Sequence, residues 1–512
     1  MSNPETQTPP AVRGTERRSA PARTRGFVRK WLFRLVWTLV VIWLTLVIGG
    51  AFEARWVQPE LSPWHRTSLE GEVTAWEMGD QFTLAQYLER EERLFADLRA
   101  RIEQPAGTDL RHAVNRYFTG SRSHPSNLGH DWNRTFEVVP GDIRGGALLV
   151  HGLTDAPYSM RAIAETLGAQ GYYALAMRMP GHGTIPSGLV HATWEDWMAA
   201  VRVGVRHVRE RVGPDKPIVL VGYSNGGALV VKYALDVLDV ASMPAPAKLI
   251  LVSPMIGVAR AARLARAISL LGPIPYFEKA RWLDVVPEYN PFKYNSFPAN
   301  AGRQTYLITT ALSKQVRRAA ADGRIGRLPP ILTFQSIVDA TVSTHAVVRN
   351  LYDLLAQNGS ELVLFDINRF SGIEPFIRPS DQALIAQLFD RSSRRYHRTL
   401  VTNATPDTLD VAAKSVTAGS TDVQVAALGM SWPRDVFSLT HVALPFTTTD
   451  PVYGTEVDRM HSNMIVLGQV SLRGEKAVLT VPIETLMRMS SNPFFPYLAR
   501  RIEEWVAPPA AR

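Results

Sequence analysis

Residues 217–227 read Pro-Ile-Val-Leu-Val-Gly-Tyr-Ser-Asn-Gly-Gly, an apolar β-branched run ending in Gly222-x-Ser224-x-Gly226. Ala228-Leu-Val-Val-Lys-Tyr-Ala-Leu235 follows at helix-compatible spacing. A strand that enters a sharp turn and leaves as a helix throws Ser224 out at the strand's carboxyl end, and the flanking glycines permit close packing that a Cβ would block. Alone, the pattern also fits a Gly-rich turn without chemistry. A strand of buried character on one side and a helix on the other select the reading of Ser224 as a nucleophile.

Strand and helix alternate outward from this point. Strands are predicted at Ala147–Val150, Tyr172–Ala176, Ile218–Val221, Leu249–Val252, Ile331–Gln335 and Leu362–Asp366, with helices at Ser159–Ala169, Thr193–Val212, Gly226–Val237 and Ser343–Gln357. That rhythm implies a parallel sheet covered on both faces, its right-handed crossovers placing the site along one edge. Two stretches interrupt it. Residues 257–328 are longer than an ordinary connection and read as a cap; residues 367–435 are polar, weakly periodic and without an evident role. Phe494 to Trp505 reads as a closing helix.

The chain has 512 residues, 46% of them hydrophobic, which suits a globular protein with a sizeable core. Of the formal charge of +9, residues 1–34 supply +6, eight basic residues against Glu5 and Glu16, so the remainder gives no argument for nucleic acid. This arm, rich in Pro, Arg, Ser and Thr, reads as disordered. Leu35 to Phe52 then runs LVWTLVVIWLTLVIGGAF without a charge. At 1.5 Å per residue that is about 27 Å, enough for one helix to span a bilayer, with Trp31 and Trp56 at the interfaces. The expectation is an uncleaved single-pass anchor at 35–52, with the basic arm cytoplasmic and the catalytic domain on the far side. Gly49-Gly50-Ala51 is the feature a cleaved signal would use. A helix at 80–105 carries Leu84, Tyr87, Leu88, Leu94, Phe95, Leu98 and Ile102 at helical spacing between mixed charges, which suits packing on the core. With no cysteine, disulfides, thiol catalysis and Cys-ligated zinc are excluded.

A serine hydroxyl needs a base, a group to orient that base, and donors for the oxyanion. Leu148-Leu-Val-His151-Gly152-Leu153 is a strand opening into a loop, so the backbone N–H groups of Leu153 and Asn225 are candidates for the oxyanion hole, with His151 packing beneath as a structural residue. VHGLTDAPYSM at 150–160, MRMPGHGT at 177–184, VGYSNGG at 221–227 and FQSIVDATV at 334–342 resemble, in that order, the blocks of α/β-hydrolase serine esterases of the monoacylglycerol lipase and carboxylesterase type. The resemblance covers residues 137–257 and 328–366, with a cap between. It implies a Ser, Asp, His triad, no cofactor or metal, and hydrolysis of small-molecule esters, lipids among them, with the acyl chain beneath the cap. It nominates Asp339, which also follows a buried-type strand as an orienting acid must. His182 precedes Ser224, against the chain order of this fold, and reads as pocket wall.

The histidine departs from that family. Leu362 to Asn368 leads into Arg369-Phe370-Ser371 with no histidine in the next few residues, and those beyond Asp339 are His345, His397, His441 and His461. His345 lies too close in chain to Asp339, and His397 sits among arginines. His441 follows Asp435-Val-Phe-Ser-Leu-Thr440, a strand-like run, and is the expected base, with His461 as the alternative. A peptidase, an acyltransferase and a non-catalytic binding protein are compatible with the same constellation.

Overall fold

The computed structural model describes residues 22–104, 114–257, 275–377, 379–390, 392–471 and 479–508. Residues 1–21 of the expected arm and 258–274 of the expected cap lie outside the described residues. Helix α1 spans Ala22–Val57. Its segment Arg29–Gly50 has a mean hydropathy of 2.2, is not buried, and among the described residues is the one helix long and apolar enough to cross a membrane, a test a signal sequence also passes. Arg23, Arg25, Arg29, Lys30 and Arg34 belong to its first turns rather than to a disordered arm. Ala, Arg and Lys are strong helix formers, and Gly26 does not interrupt them.

Helix α2, Leu84–Leu98, starts at a capping box in which Thr83 and Gln86 each accept from the other's backbone N–H. Its buried stripe of Leu84, Tyr87, Leu94, Phe95 and Leu98 carries one acid, Glu91. Glu91 accepts from Thr135 N (2.9 Å), Thr135 Oγ1 (2.8 Å) and the fully buried Arg178 Nε (3.1 Å), and Arg178 also donates to Glu72 (3.0 Å). Burial pushes the Glu91 carboxyl up, against the pull of Arg178. This paired charge fixes where the segment leaving α1 docks.

The sheet begins with β1 (Phe136–Val138) and β2 (Gly145–Val150). It continues as α3 (Arg161–Ala169), β3 (Tyr172–Met177), α4 (Trp194–Val212), β4 (Ile218–Tyr223), α5 (Asn225–Asp239) and β5 (Lys248–Val252). After the hairpin of β6 (Trp282–Asp284) and β7 (Phe297–Pro298) come α6 (Ala299–Ala321), β8 (Ile331–Ser336), α7 (Thr344–Asn350) and β9 (Glu361–Phe365). Last are α8 (Pro379–Leu388), β10 (His397–Asn403), β11 (Asp410–Val416), β12 (Val423–Ser431) and α9 (Phe495–Val506). The strand order is β1-β3-β2-β4-β5-β8-β9-β10-β11-β12. Strands from β3 through β10 are parallel, with β1, β11 and β12 antiparallel additions at the two ends. Successive residues alternate between two cores: Leu148, Leu220 and Leu249 meet α4, α5 and α6, while Leu149, Val219 and Ile250 meet α3 and α9. Burial on both faces explains the unbroken apolar runs.

Both interruptions of the rhythm differ from expectation. In the second half of the expected cap, α6 buries Ile308, Leu312 and Val316 in the core shared with α4 and α5, so it packs on the helical layer of the core, and the described part that differs from ordinary α/β structure is 275–298. The apolar stripe of α6 faces α5, its main neighbour, with α4 beside it. The second interruption, without an evident role in the sequence, carries α8 and an extension of the sheet: β10 pairs parallel with β9, and β11 and β12 follow as a meander. The run Asp435–Thr440 is not a strand. It makes one bridge, Ser438 with Ile367, while Asn368 N donates to Phe437 O (2.8 Å) and Asn368 Nδ2 to Val436 O (3.0 Å). Because β9 ends at Phe365, the returning chain pairs with two residues, Ile367 and Asn368.

Replacing Arg178 by Met leaves Glu91 buried without its cation and is expected to lower stability by about 3–5 kcal/mol. Denaturant unfolding of the two proteins measures it. A loss under about 1 kcal/mol, the range of an exposed pair, would contradict the structural role given to this cluster.

Candidate active site

Ser224 stands between β4 and α5 with φ 53° and ψ −116°. Such a conformation is unfavourable for a residue with a Cβ, by about 1–2 kcal/mol, and persists because surrounding bonds fix it. Ser224 N donates to Val252 O (2.9 Å), and Ser224 O accepts from Met255 N (2.9 Å) and Gly227 N (3.0 Å). The turn is tight enough that a Cβ on Gly226 would lie 2.1 Å from Val150 O and one on Gly222 2.5 Å from Gly226 O. Thr154, after β2, is a second non-glycine residue at positive φ (61°), its carbonyl held by Tyr294 N (2.7 Å). Leu153 and Asn225 flank Ser224 from the carboxyl ends of β2 and β4, which are neighbours in the sheet. In that crevice the sheet order reverses, since β3 lies on one side of β2 and β4 on the other.

Asp339 follows β8. Its Oδ1 accepts from Thr341 N (2.8 Å) and Val342 N (3.0 Å), and its Oδ2 from Gln335 Nε2 (3.1 Å) and His441 Nδ1 (2.8 Å). Burial alone would raise this carboxyl, but the His441 charge, the His441 bond and the two backbone N–H groups hold it below the ordinary Asp value. His441 is buried and stacks on Tyr223 at 5.3 Å between ring centroids, with Tyr223 Oη donating to His441 O (3.3 Å). With Nδ1 held by a carboxylate, Nε2 is the ring nitrogen free to act as an acceptor.

Ser224 and His441 open onto one cavity of about 440 Å³. Leu153, Met255, Leu283, Phe297, Val442 and Met489 give it apolar walls, and Lys293 and Arg488 bring positive charge to it. Leu283 and Lys293 come from the 275–298 segment, which is fastened to the chain leaving α1. Gln58 Nε2 donates to Trp282 O (2.8 Å), and Lys279 Nζ donates to Gln58 O and Glu60 Oε1 (each 2.9 Å). Leu283 and Lys293 are not legible as wall residues in the sequence, because their position depends on how that segment packs. Among the described residues no group of three or more His, Cys, Asp or Glu side chains is placed to hold a metal ion.

Residues 141–361 match the model of the Hydrolase_4 family, described as serine aminopeptidase, S33. Together with the strand order and the turn at Ser224, this decides the fold. The chain has an α/β-hydrolase fold. It is similar to esterases and lipases: 38% identical over 89 residues to a thermostable monoacylglycerol lipase of Bacillus sp. (strain H-257), and 31% over 112 residues to a carboxylesterase of Bacillus subtilis (strain 168). These segments cover 17% and 21% of this chain and 34% and 45% of the two relatives. A solved structure reported under metagenome-derived lipolytic enzymes LipS and LipT superposes with a TM-score of 0.37 at 21% identity, covering 50% of this chain and 98% of that one. The matched family segment ends at 361, before His441.

The other histidines singled out in the sequence lie elsewhere. His461 is exposed and bonds Asp458 (2.6 Å), so the structure does not bring the alternative base to Ser224. His397 accepts from Ala418 N (3.4 Å) on the added strands. His182 packs on His151 (5.0 Å) and Trp197 (5.7 Å), inside the core rather than on the wall of the catalytic cavity. His151 has both nitrogens committed: Nδ1 donates to Gly152 O (2.9 Å) and Nε2 accepts from Met179 N (3.0 Å). It is therefore held neutral beneath the loop of Leu153, and burial lowers its pKa to about 3.

A pH dependence of stability follows. Unfolded, His151 binds a proton below about pH 6.5; folded, it does not until about 3, so its share of stability is complete above 6.5 and declines as pH falls through that window. Comparison of His151→Asn with wild type by urea unfolding between pH 6 and 4 is expected to show a shallower pH slope in the variant, by up to about 1.4 kcal/mol per pH unit. Equal slopes would contradict a neutral, buried His151.

Proposed function

We propose that this protein is a membrane-anchored serine hydrolase that cleaves carboxylic esters of lipid-like or acylglycerol-like type through an acyl-Ser224 intermediate. The observation that carries the reading is the His441–Asp339 bond of 2.8 Å on a cavity that also exposes Ser224. In this mechanism neutral His441 takes the Ser224 hydroxyl proton at Nε2 as Oγ attacks the ester carbonyl, and returns it to the leaving alcohol; water then repeats the sequence on the acyl-enzyme. Asp339 orients the ring and stabilises the imidazolium. The N–H groups of Leu153 and Asn225 receive the oxyanion. Among the described residues neither N–H is taken by a backbone acceptor, and Asn225 opens α5, whose N-terminus favours negative charge.

In the same proposal α1 anchors the enzyme, with residues 1–34 on the cytoplasmic side and the catalytic domain on the other, and the 257–298 stretch acts as the cap over the acyl site. The bonds from Gln58 and Lys279 tie that cap to the end of the anchor. A peptidase activity is the second reading, favoured by the name of the matched family.

A fluorophosphonate probe is expected to label the wild-type protein and not Ser224→Ala; equal labelling would remove Ser224 as nucleophile. His441→Ala and Asp339→Asn are expected to lower kcat for p-nitrophenyl esters by about 10²- to 10⁴-fold, with His461→Ala at the wild-type rate. Faster turnover of aminoacyl p-nitroanilides than of esters would favour the peptidase.

A further inference from the structure

The geometry points to an anion subsite, formed by Lys293 and Arg488 in the wall of the cavity that holds Ser224, which selects esters carrying a carboxylate or phosphate group. Lys293 lies between β6 and β7, and its Nζ donates to Leu153 O at 3.4 Å. Arg488 comes from the segment before α9, donates to Thr341 Oγ1, and has its own carbonyl held by Thr440 Oγ1 (2.8 Å). Among the described residues neither cation has a carboxylate within ion-pair distance. The Lys293 ammonium is pushed down from its ordinary value by burial, drawn back up by Asp155, and pushed down further, to a smaller extent, by Arg488.

The remaining charges around the cavity balance them only in part. Asp284 is on the wall, with its carboxyl raised by burial. Asp155 is raised by burial and drawn back down first by the Lys293 charge, then by hydrogen bonds from Ser159 and from the backbone of Ala156 and Gly152. Asp339 is engaged by His441. Two cations from separate parts of the chain thus line one cavity, Lys293 offset by Asp155 without an ion-pair contact and Arg488 with no carboxylate paired to it, so an anionic group entering the cavity meets positive charge that is only partly neutralised. An ester whose chain lies along Met255, Leu283 and Phe297 and whose anionic group reaches Lys293 and Arg488 meets that charge through charge-assisted hydrogen bonds. The guanidinium fork suits either oxyanion, so the shared chemistry is a small anionic group on an otherwise apolar ester.

This inference rests on Ser224 being the nucleophile, and its test separates the two. Full-length protein in neutral detergent is assayed with mono-p-nitrophenyl glutarate, its neutral methyl-capped analogue, and a matched ester bearing a phosphate in place of the carboxylate. Wild type is expected to favour at least one anionic ester over the neutral one by about tenfold or more in kcat/KM. Lys293→Met and Arg488→Gln are each expected to lower that ratio about tenfold, and Arg488→Lys to restore most of it. The carboxylate and phosphate arms identify which anion is read, and preference for either supports the subsite. A wild-type ratio near one, or equal losses on neutral and anionic esters in the variants, overturns it. Should no ester be turned over, calorimetric binding of the same three compounds to Ser224→Ala decides the subsite independently: tighter binding of an anionic compound, lost in Ser224→Ala/Arg488→Gln, supports it, and equal binding overturns it.

Discussion

The bond of 2.8 Å between His441 Nδ1 and Asp339 Oδ2 joins residues 102 positions apart, and the course of the chain between them serves that contact. The α/β-hydrolase resemblance places the base a few residues after the strand that follows the acid, here β9, where no histidine is found. The structure resolves the difference spatially. The chain leaves at Ile367 and Asn368, builds α8 and three strands, and returns at Val436 to Ser438 against the same two residues. His441 therefore arrives beside the end of β9, as though the intervening residues were absent. Closing so long an excursion adds little entropy beyond that of a shorter one, because the closure term grows only logarithmically with length. The added strands fold onto the sheet edge and carry their own hydrogen bonds.

The parallel core was readable because its residues are buried on both faces. Predicted strands at Ala147–Val150, Ile218–Val221 and Ile331–Gln335 differ from β2, β4 and β8 by one or two residues at their ends. The strands β10 to β12 were not readable. β11 reads Asp-Val-Ala-Ala-Lys-Ser-Val, and all nine residues of β12 are exposed or half-exposed, so neither presents the apolar runs or strict alternation that mark a strand. Asp435–Thr440 misleads in the other direction. Its apolar residues suggest a strand, yet Phe437 is exposed and the run is held by one bridge and the side chain and backbone of Asn368.

At the site, Ser224 and Asp339 were legible because each sits at a strand's carboxyl end, a position that local pattern marks. The selection of His441 over His461 rested on Asp435–Thr440 as a strand delivering it into a loop; that run is not a strand, yet the structure separates the two histidines: one is buried on Asp339, the other exposed on Asp458. Lys293 and Arg488 could not be found from sequence. One belongs to an irregular segment and the other to a short connection before α9, and only tertiary packing brings them to the same cavity. The same packing fastens the cavity wall to the residues after α1, so the amino-terminal helix and the catalytic cavity are parts of one arrangement.

The central claim is that His441, although remote in sequence, activates Ser224. It is tested most directly by mixing the full-length protein with a p-nitrophenyl ester, quenching in acid within the first turnovers, and mapping the acyl group by peptide mass spectrometry. The expected result is an acyl mass on the peptide containing Ser224 in wild type, formed at least about 10²-fold more slowly in His441→Ala. An acyl group on another residue, or acylation of Ser224 at an undiminished rate without His441, would contradict the claim.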